Sequence, residues 1–303
     1  SAAKTPQQME RPDGCASRRT TYWKNWPNAW APPWYTTRLP LIRSPAHTPK
    51  QGMLTAMAIH TITATGTTMT TLMLTDSSQT AVGDLSLLGL MQLVSPALPI
   101  GAFAWSQGLE SAFELGWVNN EDQLGDWLEG VLDDGLTRCE LPLLVRLQTA
   151  WATNDNAGLA HWNQWLHATR ETAELSDEDT RLGSALIRLL GSLELMPAEG
   201  RMPEDPGYVT VFAWAAHMRH VPVRQTLLGF AWAWLENQLA VACKAMPLGH
   251  TAAQRLTERL RPKLVHAVDQ ALTREDNELG PVLPGLALAS AHHETQYSRL
   301  FRS

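Results

Sequence analysis

The hydrophobic positions of this chain recur at three- and four-residue steps from about Asp84 onward. Leu124 and Leu128, for example, fall on one helical face behind Asn120, a residue type that caps helix N-termini. After Asp84 there is too little alternation of apolar and polar residues to build a sheet. The pattern therefore predicts an all-α fold, with a single compact domain of about eight to ten helices over residues 84–303.

The segment from Val223 to Met246 differs from the others because it is apolar around most of its circumference. Glu236 lies in its middle with two amides behind it, and such groups are costly in lipid. We therefore interpret the segment as a central buried helix of the domain rather than a membrane span. Pro247 and Gly249 are expected to end it.

Two short sequences match the capping box, in which a Ser or Thr at the helix N-cap is followed three residues later by Glu or Gln. They are Thr137–Glu140 and Thr251–Gln254. A capping box satisfies two of the backbone N–H groups that a helix start leaves unpaired. We expect a helix to begin at each, with Pro142 tolerated in the first turn of the earlier one.

Charge is distributed unevenly along the chain. The first 80 residues contain eight Lys or Arg against three acids, and the rest contains 16 against 27, a formal charge of −11. An acidic domain repels phosphate backbones, so we expect protein partners and no nucleic acid. Three widely spaced cysteines, an odd number, indicate no disulfide framework and favour a reducing compartment.

Residues 1–83 have neither helical nor strand periodicity and are predicted to form a poorly structured leader. Residues 51–75 carry no charge, and the part from 53 to 74 is long enough to span a bilayer. Eight threonines dilute its hydrophobicity, however, so we expect no membrane association. Four methionines between positions 53 and 73 are plausible start sites, and the leader is therefore interpreted as an upstream extension that the native protein lacks.

Motifs of catalysis are missing from the sequence. It contains no G-x-x-x-x-G-K-[ST], no G-x-G-x-x-G and no G-x-S-x-G, so we do not expect it to be an enzyme that binds nucleotide or uses a serine nucleophile by these routes. Two histidine pairs, His217 with His220 and His292 with His293, leave one alternative open. That alternative is a helical enzyme that binds nickel or zinc through either pair.

Three segments are hard to explain by packing within one domain. Ser95–Glu110 forms an unusually apolar loop, which either its own core or a partner must cover. Glu236–Gly249 places Lys244 behind a long apolar run, where the ammonium is either paired or favours the helix dipole from the last turn. Glu294–Ser303 carries aromatic and arginine residues at a position where chains usually fray, so we expect it to dock on its own core or on a partner.

These segments resemble those of the UreF family of urease accessory proteins. The likeness runs from about Leu85 to Ser303. Its most specific pieces are, in chain order, SPALPIGAFAWSQGLE (95–110), ATRETAEL (168–175), ENQLAVACKAMPLG (236–249) and HETQYSRLFRS (293–303). Four motifs in the same order make chance a poor explanation. The family usually has a second glycine where this chain has Ala102.

The resemblance implies an all-helical maturation factor that is not an enzyme and has no cofactor of its own. Members of the family dimerise and join UreD, also called UreH, and the GTPase UreG. The assembly handles nickel and delivers it to the urease apoprotein in the cytoplasm. A chain of this family would serve as its scaffold and gate, coupling GTP hydrolysis by UreG to nickel insertion.

The resemblance also implies roles for residues. The lysine of the family's E-N-x(6)-K-x-x-P-x-G segment falls on Lys244, and the segment that orders against UreD falls on about Glu294 to Ser303. The residues that we expect to bind or gate a partner are Pro99, Gly101, Phe103, Glu110, Glu236, Lys244, Glu294, Tyr297, Arg299, Leu300, Phe301 and Arg302.

Overall fold

The computed structural model describes residues 82–303, which form helices, turns and loops and contain no β-strand. Helix α1 spans 82–93. The helices that follow are α2 Leu109–Glu114, α3 Glu121–Val131, α4 Glu140–Thr153, α5 Asn156–Ala168, α6 Ala173–Ser192, α7 Tyr208–Met218, α8 Val223–Ala245, α9 His250–Thr273 and α10 Pro284–Glu294. The predicted all-α fold is confirmed.

The boundary predicted at residue 84 falls at the edge of this region. Val82 and Gly83 already belong to α1. The rest of the predicted leader, including the uncharged segment 51–75, lies outside the described residues. None of the helices between residues 82 and 303 combines the length and hydrophobicity that a membrane span requires.

Three helix-capping signals were predicted from the sequence, at Asn120, Thr137 and Thr251. The structure confirms the first and contradicts the other two. Asn120 caps α3, its side chain accepting a hydrogen bond from the backbone N–H of Gln123. The capping box predicted at Thr137 is wrong, because the Thr137 hydroxyl donates instead to the Leu132 carbonyl at 2.7 Å, across a π-helical turn that extends α3. The box predicted at Thr251 is also wrong, because the chain already enters α9 at the preceding residue, with Gly249 as N-cap.

Aromatic side chains join α4, α7 and α8 within the core. Trp151 of α4 lies tilted against Trp214 of α7 with ring centroids 4.6 Å apart, and Phe212 of α7 meets Phe230 of α8 edge-on at 5.2 Å. Aromatic pairs of this kind add to the stability gained from burying their large apolar surfaces.

Helix α8 is buried around most of its circumference, as its sequence pattern predicts. Its exposed residues are Arg224, Gln225, Ala240 and Lys244. It ends at Ala245, two residues before Pro247. Its place at the centre of the domain stays a prediction.

Helices α6 and α7 approach each other closely where α6 carries Gly183. A Cβ atom added at Gly183 would lie well inside the contact distance of the Pro206 carbonyl oxygen and close to the backbone of Gly207. The same close approach brings the N-terminus of α7 to Asp179, whose Oδ1 accepts the backbone N–H of Tyr208 at 3.1 Å.

We expect Gly183→Ala to destabilise the protein by about 1–3 kcal/mol, because backbone rather than a flexible side chain must move. Gly191→Ala is the matched control on the same helix, since the nearest atom to its added Cβ is Met196 Cγ at 3.9 Å. The control should gain up to about 1 kcal/mol from helix propensity. Urea unfolding of both variants measures the difference, and equal stabilities would contradict the close approach.

Candidate functional site at the C-terminal tail

Residues 295–303, here called the C-terminal tail, follow α10 and return to the segment between α1 and α2. Helix α10 is seated against both α2 and α6. Gly108 approaches the backbone nitrogen of Ser290, where an added Cβ would come within 3.0 Å, and the hydroxyls of Thr172 and Ser290 lie 2.7 Å apart. The start of the tail is thus fixed by packed helices on two sides.

A buried carboxylate, that of Glu110 at the start of α2, holds the tail in place. Glu110 is only 6 % exposed. Its Oε1 accepts the backbone N–H of Leu300 at 2.7 Å, and its Oε2 accepts that of Phe301 at 3.0 Å. The Gln296 side chain donates to Oε1 at 3.4 Å, and His293 Nε2 lies 3.1 Å from Oε2. One side chain therefore satisfies two tail amides that no helix or sheet could pair.

His293 connects this carboxylate to a second one. The imidazole is fully buried, and its Nδ1 lies 2.8 Å from Oε2 of Glu174 on α6. The other oxygen of Glu174 accepts from the Arg299 guanidinium at 2.8 Å. Two carboxylates and two basic side chains thus alternate along one line between α2, α10, α6 and the tail.

The far end of the tail binds the loop before α2. The backbone N–H of Ser106 donates to the main-chain oxygen of Ser303 at 2.9 Å, and the Ser106 hydroxyl donates to the same oxygen. The backbone N–H of Gln107 donates to the Ser303 hydroxyl at 3.2 Å, and that of Arg302 donates to the Ala104 carbonyl at 2.8 Å. These contacts place Ser303 in a fully buried position.

Lys244, in the last turn of α8, lies beside the tail residue Phe301. Its Nζ is 4.6 Å from the centroid of the Phe301 ring, a cation–π geometry, while Phe301 itself is only 6 % exposed. Lys244 is exposed in the last turn of α8, where its charge also favours the helix dipole. Both roles that the sequence left open for Lys244, a paired ammonium and a charge at the C-terminal end of a helix, are therefore compatible with its position.

The loop before α2 takes a shape that one glycine makes possible. Gly101 has φ 81° and precedes a 3₁₀ turn over Ala102–Ala104. Since the left-handed conformation falls on Gly101, Ala102 fits the turn without a second glycine. Phe103 projects outward from this turn and is 71 % exposed, and Pro99 is exposed as well.

Gln107 joins this loop to the core. Its carboxamide oxygen accepts from Trp234 Nε1 at 3.1 Å and from the Gln238 amide at 3.3 Å. Its carboxamide nitrogen donates to Glu178 at 2.9 Å. Gln107 itself has φ 53°, a left-handed conformation that is uncommon outside glycine and is held here by these contacts.

Beside Gln107 lies a cavity of about 140 Å³, bordered by α6, α7, α8 and residues 281–286. Buried ions line its polar end. Arg170 pairs with Glu140 at 2.6 Å and with Asp179 at 3.3 Å. Burial raises the pKa of Glu178 to about 7, against a usual value of 4.5.

The remaining predicted site residues are dispersed. Glu294 accepts the backbone N–H of Ala173 at 3.1 Å, at the start of α6. Glu236 is partly buried on α8, and this burial raises the pKa of its carboxyl. Tyr297 is fully exposed and Leu300 is 56 % exposed, so both face away from the contacts that fix the tail.

The members of each histidine pair lie in different surroundings. His293 is buried with a carboxylate at each ring nitrogen, whereas His292 is exposed, so the two cannot act together. His217 packs against the Trp214 ring at 5.7 Å, and His220 follows the end of α7 with φ 54°. Between residues 82 and 303, no three His, Cys, Asp or Glu side chains converge as a metal ion would need.

The sequence predicts that Glu110 belongs to the site, but it does not reveal the groups that Glu110 binds. Glu174 lies within the ATRETAEL motif, which pointed to its neighbourhood but to no role. The pair of neighbouring histidines, His292 and His293, pointed only to a metal site. Ser106 and Gln107 lie inside the apolar loop, where nothing in their residue type reveals a contact with the tail.

Fold and site together define an all-helical protein whose C-terminal tail is clamped onto its own core by buried carboxylates. Comparison with known proteins places it more closely. The model of the UreF family matches residues 118–261. The chain is 80 % identical over 221 residues to the urease accessory protein UreF of Marinobacter nauticus, covering 73 % of this chain and 96 % of that protein.

More distant relatives agree. Identity is 78 % over 232 residues to UreF of Psychrobacter cryohalolentis, covering 75 % of this chain and 99 % of the relative. It is 48 % over 219 residues to UreF of Hahella chejuensis, covering 72 % and 99 %. The chain belongs to the UreF family of urease accessory proteins.

We expect Glu110→Ala to release the tail, because the amides of Leu300 and Phe301 and the buried imidazole lose their acceptor. The loss of stability should be about 2–4 kcal/mol. Hydrogen exchange followed by mass spectrometry should show tail peptides losing protection, while Glu114→Ala, an exposed acid on the same helix, leaves them protected. A tail still protected in Glu110→Ala would contradict the role of Glu110.

The raised pKa of Glu178 predicts a pH dependence of stability. The folded state favours the neutral carboxyl, so this contribution is complete below about pH 4.5 and is lost as pH rises through about 7. Glu178→Gln should therefore stabilise the protein at pH 8 by about 2–3 kcal/mol and have little effect at pH 4.5. Urea unfolding at both pH values tests this, with exposed Asp177→Asn on the same helix as control.

Proposed function

We propose that this chain is a scaffold and gate in urease maturation, acting in a complex with UreD and UreG that inserts nickel into apo-urease. One observation carries the proposal. The tail is fixed from below by Glu110 while Tyr297 and Leu300 face outward. Such an arrangement presents aromatic and aliphatic side chains on a rigid base, which is how strong protein interfaces are built.

The scaffold role rests on the surface around the tail. Phe103, Tyr297 and Leu300 are exposed large side chains on two segments that touch through Arg302 and Ala104. Arg299 and Arg302 add exposed positive charge to a domain that is acidic as a whole. Aromatic residues and arginine are the types that protein interfaces favour. UreD is the partner that we assign to this surface.

The gate role rests on the position of Lys244. Its ammonium lies over Phe301, a residue of the tail, so a partner that shifts the tail also changes the surroundings of Lys244. In this proposal, UreG hydrolyses GTP and Lys244 couples that step to the release of nickel toward urease. Nickel is the cargo of the complex, and the chain itself uses no cofactor and catalyses no reaction.

The proposal also includes a cellular compartment and an oligomeric state. We expect the chain to work in the cytoplasm, where apo-urease and its GTPase meet. We also expect it to form a homodimer, an expectation that derives from the family and not from a contact in the structure.

The test uses Tyr297→Ala combined with Leu300→Ala. Both side chains face away from the contacts that hold the tail, so the variant should keep its fold and its docked tail. Retention of UreD in co-purification should fall by about tenfold or more, the effect of losing at least about 1.4 kcal/mol at an interface. Nickel-dependent activation of urease should fall with it.

Leu193→Ala, an exposed leucine after α6, serves as the control and should retain UreD fully. Hydrogen exchange on the double variant establishes that its tail is still docked. Undiminished UreD binding by that variant would refute the assignment of this surface.

A further inference from the structure

We propose that His293 is the positively charged centre of the tail's docking site, so that the tail is held while the imidazole carries both ring protons and is released when it loses one. This inference goes beyond the proposed function, because it concerns contacts within this chain alone. It rests on how the hydrogen-bond donors and acceptors around His293 must be assigned.

The first assignment is that of Glu110. Each of its oxygens accepts a backbone N–H from the tail, Leu300 on Oε1 and Phe301 on Oε2. Gln296 approaches Oε1 as a further donor. A carboxyl surrounded by donors on both oxygens is ionised, because a proton on either oxygen would face another donor. Glu110 therefore accepts, and His293 Nε2 must donate to it.

The second assignment is that of Glu174. Its Oε1 accepts from the Arg299 guanidinium at 2.8 Å, which favours the carboxylate form. Its Oε2 lies 2.8 Å from His293 Nδ1, and with Glu174 in the carboxylate form this ring nitrogen is the donor. Both ring nitrogens of an imidazole donate only in the protonated, cationic form.

Charge balance leads to the same assignment. The line from Glu110 through His293 and Glu174 to Arg299 holds two negative charges, and two positive charges neutralise it only if His293 is an imidazolium. Loss of one proton leaves a buried carboxylate facing a ring nitrogen that cannot donate, which is a costly arrangement. The tail, bound through Glu110 and Arg299, is the part of the site that can leave.

Other ionisable groups surround the site and must be separated from His293. Glu178 titrates in the same pH range and reaches Ser303 indirectly, through Gln107. The charged or titratable groups to consider are Glu110 from α2, Glu174 and Glu178 from α6, Lys244 from α8, His292 and Glu294 from α10, and Arg299 and Arg302 from the tail. Of these, Glu178, whose pKa burial raises to about 7, and the second imidazole, His292, are the two to remove by substitution.

The first experiment reads the protons directly. Long-range proton–nitrogen NMR spectra of the full chain, with His293 assigned by its loss in His293→Gln, distinguish an imidazolium from a neutral ring. We expect two protonated ring nitrogens at pH 6.5 while the tail amides are protected. A neutral imidazole in a protein with a docked tail would overturn the proposal, and this result does not depend on any variant folding.

The second experiment follows tail docking from pH 6 to pH 9 by hydrogen exchange, corrected for the intrinsic rate at each pH and performed in Glu178→Gln. Loss of one ring proton removes one of the two donors that the carboxylates need, so opening of the tail should increase as the pH rises across this range. One linked proton allows up to about tenfold per pH unit. A peptide from α5 provides the internal reference.

His292→Gln is the matched control, since it removes the exposed neighbour and should leave the pH profile unchanged. His293→Gln should give a tail that is open at every pH, with a flat profile. Protection that stays constant from pH 6 to pH 9 in the Glu178→Gln protein would overturn the proposal. So would a profile that changes with His292 instead of His293.

Discussion

Much of this structure depends on the need of one buried carboxylate for hydrogen-bond donors. Glu110 lies where water cannot satisfy it, and an ionised carboxylate in such a place is costly unless donors surround it. The tail supplies two backbone N–H groups, and α10 supplies His293. Because these donors come from segments far apart in the chain, satisfying Glu110 joins α2, α10 and the tail into one unit. The exposed side chains of the tail are therefore carried on a backbone that these contacts hold against α2 and α10.

The periodicity of the sequence was sufficient to predict the helical fold, because amphipathic stripes such as that of α3 record burial directly. The capping boxes failed because a box is a local signal that nearby geometry can override. Thr137 is drawn into a π-helical turn, and Gly249 starts its helix a residue early. The acids at 177–179 lie inside α6, where Glu178 and Asp179 are buried against Gln107 and Arg170.

The candidate site could be predicted in part. Aromatic and arginine residues at a chain end indicated docking, and the tail does contact its own core, with Tyr297 and Leu300 left exposed. What the sequence could not reveal is the pairing of His293 with Glu110 and Glu174, since these residues are 183 and 119 positions apart. Spacing suggested a metal ligand at His293, whereas the tertiary fold places a carboxylate at each ring nitrogen. Pairings between residues so far apart in the chain arise from tertiary packing, and the hydrophobic periodicity of the sequence does not reveal them.

The contact between Ser106 and Ser303 spans 197 positions of the chain. During synthesis, Glu110 therefore leaves the ribosome long before His293 and the tail amides that surround it in the folded protein. Long-range contacts of this kind close late in folding, after local helices have formed. The outward surface that carries Tyr297 is accordingly complete only when residues from both ends of the described chain have come together.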